Sequence, residues 1–446
     1  MSQNYSFPKS FHFGSATSSY QIEGAVNEDG RKPSIWDEFA HKSGRIADHS
    51  TGDIACDHYH RWPEDLALMS KMNFDAYRFS IAWPRVIPDG RGAVNQQGLD
   101  FYDRLVDALL ERGIAPYATL YHWDLPLALP GGWLNRDTAK AFAEYTEVVV
   151  RRLGDRVHSW ATLNEPRCSA TVGYQEGRHA PGEMDRTKAL TAAHNLLLAH
   201  GMAVPVLRAA TKKAKVGIVL DIKPYYPASV SNTAAQAAID GDGVFNRWFF
   251  DPIAKGRYPA DTWAGFGEHV PTVEDGDMAL ISAPIDSVGL NYYSRGFVEQ
   301  DTSVRFPHAK EIRNPASGYT EMGWEIYPQG LHDMLVRLHR DYPEIPDFYI
   351  AENGAAMADE LVDGKVSDPV REQYYRDHIQ AVSDAIGKGV PMSAYLAWSF
   401  MDNFEWGFGY TRRFGIVYVD YPTQQRVVKQ SGQWFADFIA AQKALR

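Results

Sequence analysis

Two glutamates, Glu165 in TLNEP (162 to 166) and Glu352 in IAENG (350 to 354), each stand at the end of a short apolar run. A pair of carboxyls set against each other is the equipment that breaks a glycosidic bond: one protonates the leaving oxygen while the other attacks the anomeric carbon or activates a water. Other apolar runs end in Tyr121-His122-Trp123-Asp124, Asn291-Tyr292-Tyr293 and Trp398-Ser399, and the stretch after the last carries Asn403, Glu405 and Trp406. Each residue taken alone has an ordinary structural explanation: a strand-end glutamate at the surface, a satisfied core histidine at 122, a packing tryptophan at 398. What favours a site is that polar and aromatic groups converge from several sequence-distant run ends, as sugar hydroxyls and C–H faces require.

The elements that would position these groups are eight runs with the length and β-branched or aromatic content of buried strands: 11 to 17, 74 to 80, 115 to 121, 158 to 164, 216 to 222, 286 to 292, 347 to 353 and 393 to 399. Helical patterns lie between them. Leu99, Tyr102, Leu105, Val106 and Leu109 recur at three- and four-residue steps, and Gly113 follows, as in an amphipathic helix packed on a sheet. Asp137-Thr138 and Asp368-Pro369 announce helices, the second with an acceptor at the cap and proline in the first turn. The alternation predicts a single (β/α)8 TIM barrel over residues 1 to 446, with long βα loops forming the active-site pocket. No linker and no short repeat divides the chain. The polar segment at 300 to 323 reads as a long excursion after the sixth strand.

Composition narrows the function. Hydrophobic residues make up 45% and charged residues 23%, which suits a globular core. A formal charge of −11 without a basic block argues against nucleic acid as a partner. Two cysteines, Cys56 and Cys168, without CxxC spacing, suit a reducing compartment and read as small buried hydrophobes. The start lacks a secretion-signal pattern, and no stretch approaches the ~20 apolar residues of a membrane span. The expected location is the cytoplasm, with no membrane partner. His58 and His60 fall in a helical stretch where side chains two apart diverge, and HExxH is absent, so no metal or other cofactor is expected.

TLNEP and IAENG, together with FHFGSATSSYQIEG near the start, CDHYHRW (56 to 62), YRFSIAWPR (77 to 85), YHWDLP (121 to 126), GLNYY (289 to 293) and DNFEWGFGYTRRFG (402 to 415), resemble the landmarks of family 1 glycoside hydrolases across essentially the whole chain. The resemblance implies that Glu165 is the acid/base and Glu352 the nucleophile of a retaining double displacement. It also implies that Arg78, Tyr293 and Asn291 support the nucleophile. Arg78 and Tyr293 are expected to lower the pKa of Glu352, whose negative charge should in turn keep a proton on Glu165.

By the same resemblance Gln21, His122, Asn164, Glu405 and Trp406 hold the hydroxyls of the terminal sugar, Trp398 forms its platform, Trp123 backs the pocket, and Phe414 completes it. Trp324 and Cys168 fall on the aglycone side, although Trp324 reads equally well as a surface-covering residue. Ala351 stands where many relatives carry threonine.

The implied activity is that of a β-glucosidase acting on small-molecule β-glucosides and short cello-oligosaccharides, with β-galactosides and β-fucosides tolerated, as a monomer or homo-oligomer. One alternative is a 6-phospho-β-glycosidase. Glu405 argues against it, because a carboxylate about 4 Å from a phosphate repels it by roughly 4 kcal/mol per unit charge at an effective dielectric near 20. A catalytically silent sugar-binding barrel and a metal-dependent barrel enzyme such as a sugar isomerase are the other readings.

Overall fold

The computed structural model describes residues 5–446. Eight parallel strands close into a barrel: β1 (His12–Ala16), β2 (Ala76–Ser80), β3 (Ala115–Tyr121), β4 (Ser159–Asn164), β5 (Lys215–Ile222), β6 (Ser287–Tyr292), β7 (Phe348–Asn353) and β8 (Met392–Trp398). All eight apolar runs are strands, because parallel strands buried on both faces must be apolar nearly throughout. Helices cover the outside: α1 (His58–Lys71), α2 (Gln96–Glu111), α3 (Asp137–Leu153), α4 (Arg186–Ala210), α5 (Trp248–Lys255), α6 (Pro328–Asp341), α7 (Pro369–Gly387) and α8 (Gln430–Ala444). This is the expected TIM barrel.

The major apolar cluster lies between strands and helices. A smaller one, with Ala16, Ala76, Tyr117, Val219, Tyr349 and Leu396 from six different strands, fills the barrel interior. The active end is built on irregularities of this lattice. The β6–β7 pairing slips between Ile350 and Glu352, and the β4–β5 pairing slips between Ala161 and Asn164. Such slips re-aim side chains locally, and here they fall beside the two glutamates. Gly354 is needed because a Cβ there would sit 1.7 Å from the Trp398 carbonyl oxygen, so the chain leaving β7 passes directly against β8.

Four features add detail to the sequence reading or depart from it. Asp137 is the first residue of α3 and not its cap; its backbone N–H donates to Asn135 Oδ1 at 3.0 Å and its carboxylate takes Lys140 at 2.8 Å. Asp368 does stand at the cap of α7 with Pro369 behind it, but its carboxylate accepts from Arg371 and from Ser431 instead of the helix backbone. The excursion after β6 is partly ordered, since 296–300 pairs antiparallel with 309–311 and parallel with 225–227. Finally, α4 is 25 residues long with a mean hydropathy of 1.3 in its most apolar window, long and apolar enough to cross a membrane. Yet 78% of that window is buried within the protein, as befits a core helix packed on α3.

Candidate active site

A cavity of about 450 Å³ opens among the loops that follow the strands, and Glu165, Glu352, His122, Trp123, Asn291 and Tyr293 all line it. Trp398, Glu405, Trp406, Phe414, Trp324 and Cys168 line it as well. Residues from β3, β4, β6, β7 and β8 thus meet at one end of the barrel, where βα loops of this fold build their sites.

Glu352 is 3% exposed and fully engaged. Arg78 Nη1 donates to its Oε1 at 2.7 Å, and the Tyr293 hydroxyl donates to its Oε2 at 2.7 Å. Arg78 is itself fixed by Thr119 at 3.1 Å, by Asn164 Oδ1 at 2.7 Å and by the Ala351 carbonyl at 3.4 Å. A hydroxyl at position 351 is therefore not required to orient this cation. Burial raises the Glu352 carboxyl above its ordinary pKa, while Arg78, Tyr293 and Asn291 pull it back toward the ionised form. The expected net lowering is not found, because the sequence reveals the partners but not the depth of burial.

Glu165 is 6% exposed and oppositely surrounded. It accepts from Asn291 Nδ2 at 2.6 Å. Burial, then the charge of Asp221, then that of Glu352 push its carboxyl up to about 8, against hydrogen bonds from Asn291 and Cys168. Asn291 joins the two acids: its amide also donates to Asn164 Oδ1 at 3.1 Å, and it is the cross-strand register partner of Glu352. Glu165 sits at φ 47°, Trp123 at 80° and Trp406 at 49°, left-handed conformations that cost about 1–3 kcal/mol each and persist only where surrounding contacts impose them.

The groups expected to meet a sugar divide into a wall and a layer behind it. Trp398 stacks near the His122 ring at 5.9 Å between centroids, and Trp123 packs on Trp406 at 4.5 Å. His122 is held neutral, well below its ordinary pKa, by burial and by Arg78. Because Asn164 Oδ1 already accepts from Arg78 and Asn291, its amide nitrogen must donate to His122 Nε2 at 3.2 Å. This leaves the proton on His122 Nδ1, a buried atom with no protein partner.

Gln21 and Asn164, expected as direct sugar ligands, are buried and hydrogen-bonded to groups of the site. The Gln21 amide is taken up by Ser18 at 2.6 Å, Asn403 at 2.9 Å and the Phe404 carbonyl at 2.9 Å, and it reaches Glu405 at 3.5 Å. Burial and the charge of Glu352 lift Glu405 to about 8, so this carboxyl keeps its proton to higher pH than an ordinary glutamate. The repulsion of a phosphate argued from its negative charge is correspondingly weaker. Trp324 is half-buried against Tyr293, 5.1 Å between ring centroids, which places it in the cavity wall instead of leaving it as a surface cover.

Asp221 and Arg167 also line the cavity, and neither stood out in the sequence. Asp221 is the next-to-last residue of the fifth apolar run, as Glu352 is of the seventh, so the same rule applies to it. The ligand atoms of Glu165, Cys168 and Asp221 lie within 4.8 Å of one another, a spacing that could hold a metal ion. The donor set does not fit one, because the Arg167 guanidinium already occupies Asp221.

Residues 3–444 match the model of glycosyl hydrolase family 1. The chain is 48% identical to a beta-glucosidase from an Agrobacterium species, over 96% of this chain and 94% of that one. It is 46% identical to a bifunctional beta-D-glucosidase/beta-D-fucosidase from Bifidobacterium breve, over 98% and 99% of the two. A Thermotoga maritima family 1 glycoside hydrolase solved with a cyclophellitol-analogue transition-state mimic superposes with a TM-score of 0.95 at 46% identity, covering 98% of each chain. With a family match and relatives of this closeness over its full length, the chain belongs to glycosyl hydrolase family 1.

Proposed function

We infer that the protein is a retaining β-glucosidase that removes terminal β-D-glucosyl residues by double displacement. The observation that carries this reading is the asymmetry of two carboxyls in one cavity. Glu352 holds a guanidinium and a phenol hydroxyl, whereas the charged neighbours that bear most on Glu165 are the carboxylates Asp221 and Glu352. The first is suited to ionise and attack the anomeric carbon. The second is suited to keep a proton until the leaving oxygen needs it.

Once a sugar is esterified to Glu352, that negative charge is gone and Glu165 releases its proton more readily, so it can serve as base toward the incoming water. Asn291 touches Glu165 and pairs in register with Glu352. That supports the short separation of direct attack, about 5–5.5 Å, over the gap of about 6.5–9.5 Å that an interposed water requires.

For the sugar, Trp398 offers a flat face, His122 Nδ1 a free donor, and Glu405 a carboxyl able to donate or accept near neutral pH. The cations lining the cavity are already committed, Arg167 to Asp221, Arg178 to Glu176 and Lys223 to Glu311, which favours an unphosphorylated substrate even with Glu405 protonated. Trp324, Cys168 and Met322 would meet the aglycone, and short cello-oligosaccharides are the proposed natural substrates. Two buried free thiols suit a reducing compartment, and the cytoplasm is the proposed location.

The test compares nitrophenyl β-glucoside with its 6-phosphate, and the Glu352→Ala and Glu165→Ala variants on activated and alkyl glucosides. Glu352→Ala should lose turnover on both, while Glu165→Ala should retain activity where the leaving group needs no proton. Preference for the phosphate, or equal losses on both leaving groups, would overturn the reading.

A further inference from the structure

We propose that Asp221 is a positioning residue for the acid/base: it captures the Arg167 guanidinium and so prevents that cation from pairing with Glu165. This rests on the reading of Glu165 as the acid/base. Arg167 lies two residues beyond Glu165, in the helical turn that follows it, lines the same cavity and feels the charge of Glu165. Its Nε donates to Asp221 Oδ2, its Nη2 donates to Cys168 Sγ at 3.2 Å, and its guanidinium lies 3.9 Å from the centroid of the Phe245 ring. Asp221 stands next to last in β5 and is the register partner of Asn291, so the barrel delivers it to the same end as Glu165, with Glu165, Cys168 and Asp221 ligand atoms all within 4.8 Å.

The two glutamates therefore each have an arginine within reach, and the site treats them differently. Arg78 is placed directly on Glu352, where it favours the ionised nucleophile. Arg167 is diverted to a third carboxylate; paired instead with Glu165, it would strip the acid of its proton before the leaving group needs it. The titratable groups bearing on Glu165 are Glu352 from β7, Asp221 from β5, Tyr293 after β6, and Cys168 and Arg167 in the helical turn that follows it. Asn291 from β6 supplies the neutral hydrogen bond. Burial and Asp221 rank ahead of Glu352 in holding the proton on Glu165. Because esterification neutralises only Glu352, Asp221 keeps part of that bias in the glycosyl-enzyme.

The experiment is the pH profile of kcat/KM on an alkyl β-glucoside, which reports the acid of the free enzyme. In Asp221→Asn the alkaline limb should move to lower pH by about one unit, while activity on dinitrophenyl β-glucoside changes much less. Adding Arg167→Met to Asp221→Asn should return most of that shift, which a merely structural defect would not do. Should Asp221→Asn fail to fold, Arg167→Met alone should move the limb to higher pH, since Asp221 then faces Glu165 unpaired.

Glu165→Ala is compared with wild type on nitrophenyl β-glucoside, where the variant keeps measurable activity, and should lose the limb. A limb that survives in Glu165→Ala overturns the acid/base assignment itself. A limb that vanishes there yet stays at its wild-type position in Asp221→Asn, or is not restored by Arg167→Met, overturns the role of Asp221 alone.

Discussion

Arg78 Nη1 lies 2.7 Å from Glu352 Oε1 with both side chains buried, and the same guanidinium holds Asn164 Oδ1 at 2.7 Å. One cation thus orients the nucleophile and the residue preceding the acid/base. Arg78→Lys keeps a charge but cannot span both acceptors with a planar fork, and it should lower kcat/KM on nitrophenyl β-glucoside by about 10²–10³-fold. Steady-state kinetics check this; a loss below about threefold would mean that the shared guanidinium is dispensable.

Tyr293 donates to the other oxygen of Glu352 at 2.7 Å. Tyr293→Phe leaves the ring in place against Trp324 and removes the donor, so the nucleophile should gain proton affinity. The acid limb of kcat/KM should move to higher pH, with kcat reduced about tenfold or more. An unchanged acid limb would show that the hydroxyl does not bear on the ionisation of Glu352.

The raised pKa of Glu165 makes this carboxyl a liability for stability. It retains a proton in the folded protein at pH values where the unfolded chain has lost it, so its contribution is intact below the unfolded pKa and is lost as pH rises toward about 8. Glu165→Gln should then stabilise the fold at pH 8 by about 1–2 kcal/mol and have little effect at pH 4. Denaturant unfolding at the two pH values measures the difference.

The loop bearing Glu405 and Trp406 is anchored from behind by a buried cation. Lys429 Nζ contacts Asp359 and Asp402, each at 2.6 Å, with all three side chains at most 1% exposed, and Arg413 meets the other oxygen of Asp402 at 2.7 Å. Lys429→Met leaves two buried carboxylates short of a partner and should cost about 3–5 kcal/mol. Urea midpoints report the loss, and a raised KM for the glucoside should accompany it if the loop shifts.

The scaffold was legible because buried parallel strands leave a direct trace: the run read at 216 to 222 is the strand Lys215–Ile222. The glutamates were legible because they end such runs. What the sequence could not show is what depends on depth and on third partners. Burial lifts Glu352, Glu165 and Glu405 together, and Asp221 acquires meaning only when Arg167 is seen on it. The partners that fix the Gln21 amide, Ser18, Asn403 and the Phe404 carbonyl, are likewise visible only in the fold. Asp368 stands at the cap the sequence indicates, but that its carboxylate serves Arg371 and Ser431 instead of the helix backbone is visible only in the fold.

The most direct test of the central claim is proton NMR of the sugar first released from a β-glucoside, recorded before mutarotation. Covalent capture by Glu352 followed by attack of water assisted by Glu165 predicts the β-anomer first. Appearance of the α-anomer first would mean a single displacement by water and would contradict the assignment of Glu352 as nucleophile.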